Sequence, residues 1–188
     1  MSVSTNDLKN GMTLNVDGQL WTVLGFQHHK PGKGQAVVRT RLRNVKSGSV
    51  QERTFKADEK VGLAIVERRE MQYLYREGDH LVMMDNETYE QLHVPVEVAE
   101  DSLPYLVEGA AALVPMHEGT AIGVELPAAV ALRVARADPG VRGDRVSGAM
   151  KPATLETGLT VQVPLFVEEG DRVKVDTRTG EYLTREKE

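Results

Sequence analysis

The chain has 188 residues, 40% of them hydrophobic and 27% charged, with a formal net charge of -5. It contains no cysteine, which excludes a disulfide framework, a thiolate metal site and a cysteine nucleophile. No apolar run approaches the ~18–20 residues of a membrane span. Met1 to Asp7 has neither the basic nor the apolar region of a signal peptide, so a cytoplasmic location with no membrane partner is expected.

The net charge hides an asymmetry. Residues 1–63 carry 10 Lys+Arg and 5 Asp+Glu, residues 64–127 carry 3 and 13, and residues 128–188 carry 10 and 10. A basic first third beside an acidic middle predicts different partners for different faces, with phosphate met by the first third.

In chain order, residues 1–64 read as a small β barrel. Gly11 to Val16 is a strand, Asp17-Gly18 a hairpin turn, and Gln19 to His28 the next strand. Lys30-Pro31-Gly32-Lys33-Gly34 then forms a tip. Pro31 presets its first corner, and Gly32 and Gly34 are free to take positive φ. Beyond the tip, Val38, Thr40 and Leu42 alternate with Arg39, Arg41 and Arg43, which puts the arginines on one face of a strand. Lys46 to Ser49 is a turn, Val50 to Lys56 a polar strand, and Val61 to Val66 closes the unit.

The charge sign flips near residue 64, which marks a boundary. Met71 to Tyr75, Leu81 to Met84 and Tyr89 to Val94 are predicted strands, and Val96 to Val107 a short helix capped at Asp101-Ser102. Ala110 to Met116 and Ala121 to Leu126 read as a hairpin, and Pro127 marks the second boundary. In residues 128–188, Val130, Leu132 and Val134 alternate with Ala131, Arg133 and Ala135. A Gly-containing loop runs from Asp138 to Met150. Val161 to Val167 alternates, and Val173 and Val175 begin a last hairpin. Asp85, Thr88, Glu90 and Leu92 repeat the spacing of Asp176, Thr179, Glu181 and Leu183. Common ancestry and shared turn chemistry both account for this echo.

The chemistry concentrates at Lys33. A solvated turn residue is the plain reading. Against it stand the small, rigid neighbours, the second charge of Lys30 and the stripe of Arg39, Arg41 and Arg43, which together make a footprint for phosphate contacts. A catalytic amine needs burial or a cationic neighbour inside a pocket, and an exposed tip supplies neither. His28 and His29 are adjacent in a strand and so face opposite sides. His80, His93 and His117 are scattered without ligand spacing, so no metal is expected. The acids of the middle third read as a solvated face. No buried lysine is evident. The loop at residues 138–148 carries Arg142, Asp144 and Arg145 among three glycines, suited to RNA edges and phosphates. It is not followed by a Walker lysine.

Three separated runs carry a resemblance. They are Lys30 to Ala36 with Val38-Arg39-Thr40 and Leu42; Gly143-Asp144 with Lys151 to Gly158 and Val163 to Phe166; and Val173 to Tyr182. Together the chain resembles the bacterial elongation factor P family over its whole length. The resemblance implies an all-β fold of three small β-barrel domains in an L-shaped, tRNA-like arrangement. These are an SH3-like (KOW-like) domain at 1–64 and OB-fold domains at 65–127 and 128–188. It implies binding to the 70S ribosome between the peptidyl-tRNA and exit sites, and relief of stalling at consecutive prolines by positioning peptidyl-tRNA. The factor would be monomeric, neither an enzyme nor a cofactor binder. Lys33 would be the tip residue and a target for a lysine-modifying enzyme, with Lys30, Pro31, Gly32 and Gly34 as its loop. Gly143 and Asp144 would approach the exit-site codon of the mRNA, and Tyr182 and Arg185 the small subunit. The family motif usually continues Gly-Asp-Thr, whereas Arg145 follows here. A stand-alone RNA-binding module of OB and SH3-like barrels is the alternative.

Overall fold

In the computed structural model, residues 1–139 and 148–186 are described. Strands dominate. The helical elements among these residues are the short 3-10 turns Thr5–Asp7, Val96–Val98 and Leu103–Tyr105, as the all-β expectation requires. Among the described residues, no helix is long and apolar enough to cross a membrane. The chain divides into two compact units, residues 1–68 with 115–123 and residues 69–114 with 124–188.

The first sheet comprises β1 (Ser2–Ser4), β2 (Thr13–Val16), β3 (Gln19–His29), β4 (Val37–Asn44), β5 (Val50–Lys56) and β6 (Lys60–Ala64), in the order β1-β6-β2-β3-β4-β5. Asp17 and Gly18 both have positive φ, 54° and 77°, as a two-residue turn between twisted strands demands. Leu14, Trp21, Val23, Val38, Leu42 and Phe55 form the core. Strand β1 has no pattern of its own. Its pairing of Val3 with Val61 is set by β6.

The second sheet comprises β7 (Glu67–Glu77), β8 (His80–Asp85), β9 (Gln91–Pro95), β10 (Ala111–His117) and β11 (Thr120–Ala121), in the order β11-β10-β7-β8-β9. Leu81, Val82 and Met83 are all buried, so β8 is covered on both faces. Two expectations fail here. The helix over residues 96–107 is broken into two 3-10 turns, because Pro104 lacks the amide proton a continuous helix would use there and its ring crowds the preceding turn. Ser102 does stand at the N-cap of the second turn, as expected, but its side chain makes no capping bond. Its hydroxyl donates to the Val124 carbonyl at 2.7 Å. Likewise the strand expected at residues 121–126 stops at Ala121, leaving one bridge, Leu113 to Glu125.

The third sheet comprises β12 (Ala129–Ala137), β13 (Met150–Leu155), β14 (Thr160–Pro164), β15 (Arg172–Asp176) and β16 (Tyr182–Glu186), in the order β14-β13-β12-β15-β16. Leu132, Val134, Leu155, Val161, Val163, Val173 and Val175 meet in its core. Strand β13 was not among the predicted strands, and it carries Pro152, which cannot donate a ladder bond. The β12 pairing ends at Ala153, so no β12 residue faces Pro152.

Candidate functional site: a lysine tip on a three-stranded arm

Strand β2 pairs with β3 only through Thr22. From there β3 runs on beside β4, through Phe26 opposite Thr40 and Gln27 opposite Arg39, to His29 opposite Val37. At ~3.3 Å per residue, the stretch from Val23 to His29 spans about 20 Å. A bulge between Val23 and Gly25 adds local twist to the arm. Strand β5 supports it from the far side, pairing Thr54 with Arg39 and Lys56 with Val37.

Residues 30–36 turn beyond the last pair. Gly34 has φ +128°, and a Cβ there would sit 3.5 Å from Pro31 Cγ, so the tip closes by laying Gly34 against the proline ring. Gly32 does not take positive φ, although both glycines were free to do so. Lys30, Gly32, Lys33, Gly34 and Gln35 are exposed, and Pro31 is half-buried. The descending side is anchored where the Ala57 amide donates to the Ala36 carbonyl at 2.9 Å. Among the described residues, nothing bonds to the Lys33 amine. The amine is therefore presented on an ordered base, with no pocket of its own.

The two faces of the arm differ in chemistry. Val38, Thr40 and Leu42 are buried, and Arg39, Arg41 and Arg43 are exposed, as the alternation predicts. Cross-strand partners share a face, so register adds His29, Gln27, Thr54 and Lys56 to the arginine side. These side chains were missed from sequence because only register reveals them. Glu52 lies opposite Arg41 and dilutes the stripe there, whereas Arg39 is flanked by neutral Gln27 and Thr54. On the inner face, Arg53 pairs with Asp17 at 2.9 Å and lies 5.6 Å over the Phe55 ring. Its charge is used within the fold. His28 packs edge-on to Phe26 at 5.7 Å, which accounts for one member of the His28-His29 pair without a metal.

Elsewhere the outcomes are mixed. Gly143, Asp144 and Arg145 lie outside the described residues. Tyr182 packs against the third core. Arg185 bonds to Asp171 at 3.3 Å and stacks 5.0 Å over Phe166. Asp171 is held below the usual carboxylate range, first by the Glu168 amide and then by Arg185. His80 and His93 are not scattered: strand pairing brings their rings to 6.3 Å, and His93 meets Glu77 at 3.2 Å. Among the described residues no group of three or more His, Cys, Asp or Glu could hold a metal. A buried lysine does exist. Lys151, 7% exposed, donates its ammonium to the Asp138 carbonyl at 2.6 Å. That bond ties β13 to the end of β12, far in sequence from the tip.

Three family models match in succession: the elongation factor P KOW-like domain over residues 4–61, the elongation factor P OB domain over residues 66–124, and the elongation factor P C-terminal domain over residues 130–185. The chain is 59% identical to elongation factor P of Acidothermus cellulolyticus over 182 residues, covering 97% of each chain. It is 55% identical to that of Desulfitobacterium hafniense over 183 residues, covering 97% of this chain and 99% of the relative. Among solved structures, eukaryotic translation initiation factor 5A from Methanococcus jannaschii superposes with a TM-score of 0.57 at 26% identity. The match covers 67% of this chain and 92% of that one. A related family protein from Naegleria fowleri superposes with a TM-score of 0.53 at 17% identity, covering 67% and 98%, a likeness of fold alone. With three consecutive family models and near-full-length identity above one half, the chain belongs to the elongation factor P family of translation elongation factors.

Proposed function

We propose that this protein binds the 70S ribosome between the peptidyl-tRNA and exit sites and speeds peptide-bond formation at consecutive prolines by holding peptidyl-tRNA in place. The observation that carries the reading is an exposed Lys33 on a Pro31- and Gly34-shaped tip, at the end of an arm with one face of arginines. A thin tip bearing an unpaired cation suits a pocket supplied by another body. Proline is a constrained, slow substrate, and restricting the reactant's motion lowers that barrier without proton chemistry. The protein then acts as a non-enzymatic factor in the cytoplasm, and the ribosome remains the catalyst. The three domains lie at 1–64, 65–127 and 128–188. Arg39, Arg41 and Arg43 meet RNA phosphates. Residues 143–145 approach the exit-site codon, and Tyr182 and Arg185 lie toward the small subunit. Lys33 is the residue an amine-modifying enzyme would extend, which peptide mass mapping of the native protein reads directly.

The test is in vitro synthesis of a reporter containing three consecutive prolines. Wild-type protein is expected to raise the yield and Lys33→Ala to abolish that gain. The variant should melt normally, since exposed substitutions change stability by about 0.5 kcal/mol or less. Equal yields with and without wild-type protein would overturn the reading. The rival, a free-standing single-strand binder, needs stacking aromatics beside its cations, yet in the basic first sheet Trp21 is buried and Phe26 packs on the core, and the exposed Tyr75, Tyr89 and Phe166 lie outside that sheet. Tight binding to isolated single-stranded RNA without ribosomes would favour it.

A further inference from the structure

The run Lys151 to Gly158 has no part in the tip, and the structure gives it a different task. The connection between β9 and β10 carries Tyr105, which precedes β10 in sequence. Its ring is nonetheless buried in the core of the third sheet, with Leu132, Leu155, Val163 and Val175. Beside it, the Thr157 hydroxyl, at the β13–β14 turn, donates to the Pro104 carbonyl at 2.6 Å. The same connection is also tied to its own sheet. Ser102 donates to the Val124 carbonyl at 2.7 Å, and the Gly109 amide to the Tyr73 carbonyl at 2.8 Å. Ala99 and Leu106 are buried. A segment held on both sides is a joint, whereas a linker is held on neither.

Gly180 supplies an independent observation. Among the described residues, three hairpin turns share one geometry, closed at Asn44, Asp85 and Asp176. Each of these accepts two amides on its side chain, with a left-handed residue four positions on. That residue is Gly48 at φ 68°, Tyr89 at 60° and Gly180 at 74°. Tyr89 shows that the turn itself does not require glycine. Nothing lies within 4 Å of a Cβ built at Gly48, but one built at Gly180 meets the Tyr105 hydroxyl at 3.2 Å. Space for Tyr105 distinguishes Gly180.

From this we infer that Tyr105, Thr157 and Gly180 form a rigid joint between the second and third sheets. Tyr105 is thereby a positioning residue, so that the two sheets engage the ribosome as one preorganised body. The functional half rests on the ribosome reading above; the joint itself does not. Because the chain lacks cysteine, spin labels at Glu87→Cys and Glu169→Cys, both exposed positions, report the distance between the two sheets in the full-length protein. A narrow distribution is expected in the parent. A broader one is expected in Tyr105→Ala and in the milder Thr157→Val/Gly180→Ala, which leaves the core intact if Tyr105→Ala does not fold. Gly48→Ala, with open space, should leave the distribution narrow. Losing preorganisation should weaken ribosome affinity roughly tenfold with the tip unchanged. A broad parent distribution, or no broadening in Thr157→Val/Gly180→Ala, overturns the joint. Broadening with unchanged affinity overturns the positioning role. A parent that binds no ribosomes counts against the proposed function, while the distance measurement still decides the joint.

Discussion

At the scale of single residues, the tip depends on which glycine carries the strain. Gly34 holds φ +128° against the Pro31 ring, while Gly32 has ordinary φ and open space around it. Alanine at a left-handed position costs roughly 1 kcal/mol or more. At an unpaired tip that cost is relieved by a change of shape. Gly34→Ala is therefore expected to lose most stimulation of the triproline reporter with little change in melting, and Gly32→Ala to retain it. Equal losses would remove the distinction. The arginines are likewise unequal. Arg39 is flanked by neutral residues and Arg41 faces Glu52. Arg39→Glu should flatten the slope of log ribosome affinity against log salt by about 1 or more, and Arg41→Glu by less. Binding titrations over a salt series measure both. Pro31, Lys33 and the arginine alternation were legible in the sequence because their effects are local. Glu52, Thr54 and Lys56 were not, because strand register decides which residues become neighbours.

At the scale of elements, the three shared turns explain the internal echo. Asn44, Asp85 and Asp176 close the same hairpin in all three sheets. The echo was visible in two copies only, because the first uses Asn44 and Ser47 in place of aspartate and threonine. Shared turn chemistry thus accounts for it without a duplicated domain. The two aspartates make their turns pH-sensitive. The Asp85 carboxyl is held below the usual range first by the Thr88 amide and then by that of Glu87. Asp176 is held down first by the Arg178 amide and then by that of Thr179. A folded-state pKa below the unfolded value of about 3.9 means the stabilisation is complete above that value. It is lost as pH falls through the folded pKa. Asn44 shows that an amide serves the turn without titrating. Asp85→Asn/Asp176→Asn should therefore lose little at neutral pH and show a shallower fall in urea midpoint between pH 7 and pH 3. Asp171 remains to give a residual slope. An undiminished fall would refute the assignment.

At the scale of the whole molecule, two compact units each hold their own apolar core. Leu14 and Leu132 are fully buried, one in each. Truncating either to alanine should cost about 2–5 kcal/mol. Independent units are expected to unfold in separate calorimetric transitions, with Leu14→Ala lowering one and Leu132→Ala the other. A single transition shifted equally by both would show that the units unfold together. The charge asymmetry is also a whole-molecule property. The arm's exposed cations belong to the basic first third, and the acids of residues 64–127 lie on β7 and β8 and in the turns and loops that follow.

What short-range chemistry controls was readable along the chain. That included the glycine- and proline-shaped tip, the two-faced strand behind it, the turns closed by Asn, Asp and Gly, and the family these runs resemble. Packing between distant segments set the rest. It admitted Pro152 to a strand. It buried Lys151 against Asp138 and sent Tyr105 into another sheet's core. The break at 96–107 lies at the segment's own proline; for the other three the local preference is weak, and the free energy comes from a partner ten or more residues away, Gln162 for Pro152, Asp138 for Lys151 and the third core for Tyr105. A pattern read along the chain cannot contain that term.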